Sequence, residues 1–326
     1  MGNAFTIPVV LFLFKRKESS IKIVEQIAKI KPCKLYLLAD YGRTPQENSL
    51  ADECRIAVES AVTWPCEVIK DYATENRGVY QNIGEGARRV LQKEECAIFL
   101  EDDNLPEVTF FRYCAEMLEK YRSDPRVLWV CGTNYCGQYN PQDGESYKFT
   151  QHMLPCGWAS WSEKFLKYYD GSMSSLKTIE DIKSLRKKFE TGRLYRMYRD
   201  CWLEEKARLK EGKQPQSWDY QMCLALRKNN LLGIVPMNNQ IKNIGVDDFS
   251  IHGGTSMGNI MTQRYCGMNS YPLLFPLVGP KQVDKDPVFE KKLEKIIVMP
   301  LKLRARIFIV KLAKKILGMT RRRTMW

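Results

Sequence analysis

Three consecutive acidic residues directly follow a short apolar stretch near residue 100. The stretch 97–100 has the composition of a buried strand, and Glu101, Asp102 and Asp103 come next. An open parallel sheet binds its ligands just beyond the carboxyl ends of its strands. Carboxylates crowded at such a place repel one another unless a cation joins them. Because Mg²⁺ and Mn²⁺ take oxygen ligands and are often shared with substrate phosphates, the triplet predicts a metal-bridged diphosphate site.

The same triplet also suits a solvated acidic turn, since Pro106 and Glu107 are typical of a helix start. Other diphosphate-binding patterns are missing from the sequence. It has no G-x-x-x-x-G-K-[ST] loop, and Gly84-Glu85-Gly86 lacks the strand–turn–helix context of a dinucleotide fingerprint. Neither of the two histidines, His152 and His252, has a partner at metal-ligand spacing. A diphosphate here would therefore need a metal held by carboxylates.

A second candidate for chemistry is Asp219, at the start of a predicted helix. Trp218, Met222 and Leu226 form the apolar stripe of this helix, and Asp219 lies beside the stripe. An acid in a first helical turn interacts favourably with the helix dipole, which is the simpler interpretation. A carboxylate in this position also suits a general base for a hydroxyl, an effect of roughly 10²–10⁴-fold in rate. The residues alone leave both interpretations open.

Two further segments place aromatic or polar residues in turn-rich surroundings. Trp158 and Trp161 flank a small-residue turn, where packing in the core is the default and stacking against a sugar ring is the alternative. A glycine-flanked loop contains three further polar residues, Asp247, Asp248 and His252. They predict either a lid over the metal or a plain polar turn.

Strand-like and helix-like stretches alternate from the amino terminus. Apolar runs predict strands at residues 9–14, 35–39, 66–69, 97–100 and 127–131, with amphipathic helices between them. This alternation is typical of βαβ units and predicts a doubly wound, mostly parallel α/β sheet. After Gly132 the pattern stops, and residues 133–160 are predicted to be functional loops. Helices are predicted again at 178–211 and 218–228, and a strand at 231–235.

The overall composition indicates a folded protein of a reducing compartment. The chain has 326 residues and eleven cysteines, an odd number, none of them in a C-x-x-C pair. The apolar run at residues 7–14 is too short to span a bilayer, and neither a preceding positive charge nor a cleavage site marks it as a leader. A cytoplasmic location is expected.

The net charge of +13 is concentrated at the carboxyl terminus. Residues 291–326 contain twelve Lys and Arg against one acid, which leaves a charge of only +2 on residues 1–290. The sequence therefore predicts a nearly neutral body, residues 1–290, followed by a basic tail, residues 291–326. Nucleic acid is a less suitable partner, because the charge is confined to the tail and no base-reading motif accompanies it.

The tail has the pattern of an amphipathic helix. Its apolar stripe is Leu301, Ala305, Phe308, Leu312 and Ile316, and its basic flank is Arg304, Lys311, Lys314 and Lys315. Such a helix lies in a membrane interface, where each basic residue near anionic lipid contributes up to about 1 kcal/mol. The expected location is peripheral, on the inner face of a membrane. The alternative is a helix packed on the body.

Taken in order along the chain, these segments resemble the GT-A class of sugar-nucleotide-dependent glycosyltransferases. They are most similar to the inverting N-acetylglucosaminyltransferase I group and its bacterial family 2-like relatives. The matching features are the strand at 9–14 with Lys15-Arg16, Asp40 after the second strand, the acidic triplet, Gly157-Trp158, Trp218-Asp219 and Asn243-Ile244-Gly245. Together they cover residues 5–258.

The resemblance implies a role for each matched residue. Arg16 and Asp40 would lie by a uracil base, with Arg77 also in the nucleotide-sugar site. Asp102 would face the ribose, and Asp103 would ligate Mn²⁺ or Mg²⁺, with Glu101 acting through water. Asp219 would deprotonate the acceptor hydroxyl in a single inverting displacement, while the metal stabilises the departing diphosphate.

The resemblance also implies an organisation for the body. Residues 1–132 would form the nucleotide-sugar-binding half of a catalytic domain and residues 133–290 the acceptor-binding half, with Trp158 and Trp161 at the acceptor. Compared with the Golgi enzymes of this group, no amino-terminal membrane anchor is expected, and the acceptor-side loops differ. These differences suggest a bacterial enzyme of surface polysaccharide or lipopolysaccharide synthesis, with a glycan or lipid-linked acceptor.

Two other functions stay open from the sequence. A sugar nucleotidyltransferase shares the fold class, but it would usually have a Gly-rich loop after the first strand, where this chain has Phe14-Lys15-Arg16-Lys17. A non-enzymatic basic membrane-binding or lytic protein would depend on the tail alone.

Overall fold

A computed structural model of the chain describes residues 4–141, 143–246 and 256–301, together with residues 303, 305 and 309. Its strands are β1 (Val9–Leu13), β2 (Lys34–Ala39), β3 (Glu67–Tyr72), β4 (Cys96–Glu101), β5 (Asn104–Pro106), β6 (Val127–Cys131), β7 (Tyr147–Thr150), β8 (Trp158–Trp161), β9 (Leu232–Pro236) and β10 (Ile241–Asn243). Its α-helices are α1 (Lys17–Ile30), α2 (Pro45–Ala61), α3 (Glu85–Leu91), α4 (Val108–Lys120), α5 (Ser162–Tyr168), α6 (Ile179–Ser184), α7 (Gly192–Lys210), α8 (Asp219–Asn229), α9 (Ile260–Cys266) and α10 (Pro287–Ile297). A π-helical turn, Tyr80–Gly84, leads into α3, and a 3₁₀ turn, Leu185–Lys188, follows α6.

Eight strands form the central sheet in the order β3-β2-β1-β4-β8-β6-β9-β7. The first four are mutually parallel, as are β6 and β9, whereas β7 and β8 run antiparallel to their neighbours. Apolar helix faces cover both sides of the sheet: α1, α2 and α4 pack on one face, and α3, α5, α7, α8 and α10 on the other. The predicted doubly wound, mostly parallel α/β class is confirmed.

The strands β1, β2 and β4 are continuous apolar runs because both of their faces are buried. All five residues of β1 lie in the core, and its side chains alternate between the two hydrophobic clusters on opposite sides of the sheet. The predicted strands of the first 131 residues are all present, with shifts of at most a few residues at their ends. Only the third differs noticeably, since it begins at Glu67 and continues to Tyr72.

The prediction that residues 133–160 are loops was wrong in part. The segment contains β7 and the start of β8, and β8 lies inside the sheet between β4 and β6. Its residue Trp158 is paired with Phe99 of β4. Strands of only four residues, joined to partners far away in the chain, leave little local pattern, which explains the error.

The carboxyl-terminal part of the described chain packs on the body. Helix α10 continues across the boundary placed between residues 290 and 291, and its residues Phe289, Leu293 and Ile297 are buried against the core. The basic segment therefore belongs to the body as far as Ile297. Of the predicted apolar stripe of the tail, Leu301 and Ala305 are among the described residues, and the rest of that stripe and its basic flank lie outside them.

No helix in the parts of the chain that the structure describes is long and apolar enough to cross a membrane. All eleven cysteines are free thiols. Cys114 and Cys223 are buried core residues, and Cys96 is partly buried.

Candidate active site

The carboxyl ends of β1 and β4 bring Arg16 and the acidic triplet together. Asp102 is only 7% exposed, and its carboxylate accepts hydrogen bonds from the Phe14 backbone N–H at 3.2 Å and from Arg16 Nη1 at 3.0 Å. The Ser19 hydroxyl of α1 donates to the Asp102 carbonyl at 2.5 Å. These bonds fix the turn after β4 against the first turn of α1. Two sequence-predicted residues, Arg16 and Asp102, are thus direct neighbours.

Asp103 lies between Arg16 and the end of β10. Its carbonyl accepts from the Ile244 N–H at 2.9 Å, its carboxylate accepts from the Asn104 side-chain amide, and Arg16 Nη1 is 3.7 Å from its Oδ2. A side chain at Gly245 would collide with the Asp103 carboxylate. Glycine is therefore required at position 245 for this close approach of the backbone to the acid.

Burial and the charges of neighbouring acids act on the carboxyl groups of Glu101 and Asp102. Burial, followed by the charges of Asp103, Asp102 and Asp219, raises the pKa of Glu101 well above its usual range. Burial raises the pKa of Asp102 to about 6, opposed by the nearby Arg16 guanidinium. Crowded carboxylates of this kind hold protons in the absence of a cation, and a divalent cation would favour their ionised forms.

The donors present at the triplet fit a hard divalent cation. Among the described residues, no three His, Cys, Asp or Glu side chains converge as a complete metal site. Mg²⁺, however, is commonly held by one or two carboxylates, with substrate phosphates and waters as the other ligands. The carboxylate oxygens of Glu101, Asp102 and Asp103 are of the right chemical type for that arrangement. Asp247, Asp248 and His252, predicted to form a lid or a turn, lie outside the described residues.

Asp40 occupies the carboxyl end of β2 and organises the loop after β3. Its carboxylate accepts from four donors: the backbone N–H groups of Tyr41 at 2.8 Å, Arg77 at 2.7 Å and Gly78 at 2.9 Å, and the Asn76 amide at 3.3 Å. Any contact of Asp40 with a base would therefore have to share an oxygen that already accepts hydrogen bonds. Its clear structural role is to position Arg77.

Arg77 contacts an acid on the edge strand. Its Nη2 is 2.8 Å from Asp71 Oδ1, and the guanidinium of Arg89 in α3 binds the other oxygen of the same carboxylate. Buried Nη1 of Arg77 has no hydrogen-bond partner among the described residues. The residue lines an open groove of about 700 Å³ between β3 and α3, together with Asp71, Asn76 and Arg89. Sequence reasoning did not identify this groove.

Asp219 is the first residue of α8. The Ser217 hydroxyl donates a hydrogen bond to its carboxylate. Burial raises the pKa of Asp219 to about 6, while its own backbone N–H and that of Tyr220 oppose the rise, as expected at a helix amino terminus. Asp219 is close enough to Glu101 for its charge to raise the pKa of Glu101. The two predicted chemical centres therefore lie within electrostatic range of each other.

Three tyrosines that sequence reasoning missed lie near enough to Asp219 for its charge to act on their hydroxyl groups. The Tyr169 hydroxyl donates to the Trp218 carbonyl at 3.2 Å, and the rings of Tyr135 and Tyr265 lie 5.0 Å apart. Burial raises the pKa of all three phenols, and the charge of Asp219 contributes to each shift. Their separation from Asp219 along the chain left no local pattern that could have identified them.

Trp158 and Trp161 are packed inside the protein. Trp158 is 1% exposed and stacks on Phe99, with ring centroids 3.9 Å apart, and on Trp129 at 4.2 Å. Trp161 is 4% exposed and donates from Nε1 to the Leu118 carbonyl at 2.9 Å. Neither indole offers a face to an acceptor in this structure, and core packing, the default interpretation, describes both. Both residues belong to β8, and their side chains pack into the hydrophobic clusters on opposite faces of the sheet. They therefore contact the core and not the expected acceptor.

No protein-family model matches the chain, and no curated protein matches it. Several solved structures are similar at a low level. Mouse xyloside xylosyltransferase 1 is 10% identical, with a TM-score of 0.38 over 69% of this chain and 82% of that chain. A UDP-glucose pyrophosphorylase complexed with UDP-glucose is 12% identical, with a TM-score of 0.34 over 73% of this chain and 92% of that one. The WbbM bifunctional glycosyltransferase is 10% identical, with a TM-score of 0.31 over 93% of this chain and 51% of that one. Similarities of this size assign neither a family nor an activity.

Proposed function

We propose that the protein is a metal-dependent glycosyltransferase of the GT-A class. It transfers a sugar from a UDP-sugar to a hydroxyl of a glycan or lipid-linked acceptor, with inversion at the anomeric carbon. The observation that carries this proposal is that Asp219, at the start of α8, lies within electrostatic range of Glu101 in the acidic triplet at the end of β4. The triplet is suited to bind a cation and the diphosphate that it bridges, and Asp219 is suited to accept a proton from an acceptor hydroxyl.

The donor side is assigned to the carboxyl ends of the first strands. Asp103 would ligate Mn²⁺ or Mg²⁺ and Glu101 would support it through water, because both carboxylates lie at the carboxyl end of β4, where burial and the neighbouring acids raise the pKa of Glu101. Bound there, the cation would supply positive charge for the departing diphosphate. Arg16 and Asp102 form a largely buried ion pair beside Asp103, which supports assigning both to the same donor site.

The nucleotide side would extend from Arg16 towards Arg77. Asp102 is assigned to the ribose, and Arg16, Asp40 and Arg77 to the nucleotide. The support for Arg77 is geometric: Asp40 fixes its backbone N–H at 2.7 Å, and its side chain lines an open groove. Asp40 contributes to this site chiefly by positioning the loop after β3, which carries Arg77.

The acceptor side is assigned to the surroundings of Asp219. Above pH 6 the raised pKa of this carboxylate still leaves it ionised, so that it can accept the proton of an attacking hydroxyl. Ser217 donates a hydrogen bond that orients the carboxylate. Tyr135 and Tyr265 provide aromatic surface near it, a role first expected of Trp158 and Trp161.

Residues 1–132 would then form the donor half and residues 133–290 the acceptor half of one catalytic domain. The basic tail, residues 291–326, would hold the enzyme at the inner face of an anionic membrane, where lipid-linked acceptors are available. This setting suits a cytoplasmic, peripheral enzyme of bacterial surface polysaccharide or lipopolysaccharide synthesis.

An assay that identifies the product released from the nucleotide substrate tests this proposal. The protein is incubated with Mn²⁺ and a panel of UDP-, GDP- and CDP-sugars together with lipid-linked and soluble glycan acceptors. Release of UDP that requires an acceptor supports a glycosyltransferase. If the protein instead releases pyrophosphate when given a nucleoside triphosphate and a sugar phosphate, it is a sugar nucleotidyltransferase and not a glycosyltransferase. Vesicle leakage with no turnover of any nucleotide would instead favour a lytic protein.

A further inference from the structure

The helical segment between β8 and α8 carries an apolar groove on its outer surface. The groove lies between α6 and α7 and has a volume of about 390 Å³. Ile179, Ile182 and Leu203 give it apolar walls, and Ile179 and Leu203 are 59% and 38% exposed. Large apolar side chains grouped at a surface commonly mark an interaction site.

The rim of this groove is cationic. Lys183, Arg186 and Arg199 line it, and its lining, all of it within the described residues, includes no acid. Glu180 pairs with Lys183 at 3.2 Å and Asp200 pairs with Arg199 at 2.6 Å, but both pairs are on the surface, where such contacts contribute little and exchange readily. Residues 177–210 as a whole contain eleven Lys and Arg against six acids.

Helix α7 connects this groove to two other parts of the molecule. At its start the Thr191 hydroxyl donates a hydrogen bond to the Glu294 carboxylate of α10, the helix in which the basic tail begins. Near its other end Trp202 donates from Nε1 to the Tyr220 carbonyl at 3.0 Å, and the Glu205 carboxylate accepts from the Gln216 N–H at 2.9 Å. The Asp219 segment is therefore held by α7. Nineteen residues of α-helix span about 28 Å.

We propose that the α6–α7 groove is a second lipid-contacting surface, which binds an anionic bilayer in addition to the basic tail. Ile179 and Leu203 insert among acyl chains, and Lys183, Arg186 and Arg199 bind the lipid phosphates. An apolar surface with a cationic border is what an anionic membrane recognises. The connection through α7 places the Asp219 segment at a fixed distance from that bilayer. The inference does not depend on the proposed transferase activity.

The test uses the full chain and a matched pair of double variants. Ile179→Asp with Leu203→Asp changes the groove. Ile56→Asp with Leu50→Asp makes the same chemical change on α2, which packs on the opposite face of the sheet, at side chains that are 67% and 37% exposed. Both variants keep the tail and change the net charge equally. Cosedimentation is measured with phosphatidylcholine vesicles that contain or lack phosphatidylglycerol.

The groove variant is expected to partition at least about tenfold more weakly than the α2 variant into vesicles with phosphatidylglycerol, which corresponds to about 1.4 kcal/mol. Neither variant should bind phosphatidylcholine alone appreciably. Equal partitioning of the two variants overturns the proposal. So does a groove variant with unchanged lipid binding and a lower apparent mass in solution, which would make the groove a contact between protein chains.

A second pair of variants covers the case in which the aspartates prevent folding, detected by circular dichroism. Lys183→Gln with Arg199→Gln removes two cations of the rim. Lys22→Gln with Lys29→Gln removes two exposed cations of α1. The rim variant should lose more affinity for anionic vesicles than the α1 variant, and an equal loss contradicts a role for the groove.

Discussion

Asp219, at the amino terminus of α8, lies close enough to Glu101, at the carboxyl end of β4, to raise the pKa of the Glu101 carboxyl. Glu101 ends a strand of the sheet and Asp219 begins a helix, and the two belong to groups that the sequence identified separately. The candidate diphosphate centre and the candidate base are thus electrostatic neighbours. A transfer reaction requires both within reach of one substrate.

Replacing Asp219 by asparagine should separate binding from chemistry. The side chain keeps its size but cannot accept a proton, so UDP binding in Mn²⁺ should be unchanged while transfer falls by roughly 10²–10⁴-fold. Calorimetry and a transfer assay measure the two effects. Asp284→Asn, an exposed acid in the loop before α10, is the matched control and should keep full activity. Unchanged transfer in the Asp219 variant would remove the base assignment.

The transfer rate should depend on pH through the same residue. Burial raises the pKa of Asp219 to about 6, and a carboxylic acid that is protonated below this pH cannot act as a base. The turnover rate should therefore fall about tenfold per pH unit below pH 6 and level off above it. Rates at saturating substrate measure this profile. A flat profile across pH 6 in the wild type, or the same slope retained in Asp219→Asn, would contradict the prediction.

Arg16→Met should destabilise the fold by leaving Asp102 without its ionic partner. Breaking a buried pair by removing one member costs about 3 kcal/mol. The loss should be larger above pH 6 than below it, because burial already raises the pKa of Asp102 to about 6 and the arginine opposes that rise. Urea unfolding at two pH values measures the difference. Lys70→Met, which breaks the more exposed pair with Glu59, is the control and should cost much less. A similar loss in both variants would argue against the buried pair.

Trp158→Ala should act on stability rather than on acceptor binding. The indole stacks between Phe99 and Trp129 inside the sheet layer, and removing a buried aromatic side chain costs about 3–5 kcal/mol. Trp158→Phe, which keeps a ring in the stack, should lose much less. Thermal unfolding and the acceptor KM distinguish the roles. A raised KM with unchanged stability would restore the acceptor assignment.

The first 131 residues illustrate what a sequence predicts well. The strands β1, β2, β4 and β6 are apolar runs with both faces buried, and the intervening helices have regular apolar spacing, so each element is encoded locally. The order of strands and helices then restricts the topology. For this reason the placement of Asp40 and of the acidic triplet at strand ends followed from the sequence.

The second half depends on contacts that are distant along the chain. Strand β8 is recognisable only by its pairing with β4 and β6, and the short pair of β5 with β10 brings Gly245 to Asp103. The tyrosines around Asp219 are likewise assembled from separate segments. A local pattern contains none of this information. Trp158 shows the consequence, since a buried indole and a sugar-binding indole look the same in sequence.

The proposed metal-bridged diphosphate site is tested most directly by a calorimetric titration of UDP in the presence of Mn²⁺ and in EDTA. It is carried out above pH 6 on the wild type, on Asp103→Asn and on the control Asp284→Asn. The wild type and the control should bind UDP tightly in Mn²⁺ and lose that binding in EDTA, and the Asp103 variant should have the same affinity in Mn²⁺ as in EDTA. UDP binding that is equally tight in EDTA, or unchanged by Asp103→Asn, would contradict a diphosphate held by a metal at residues 101–103.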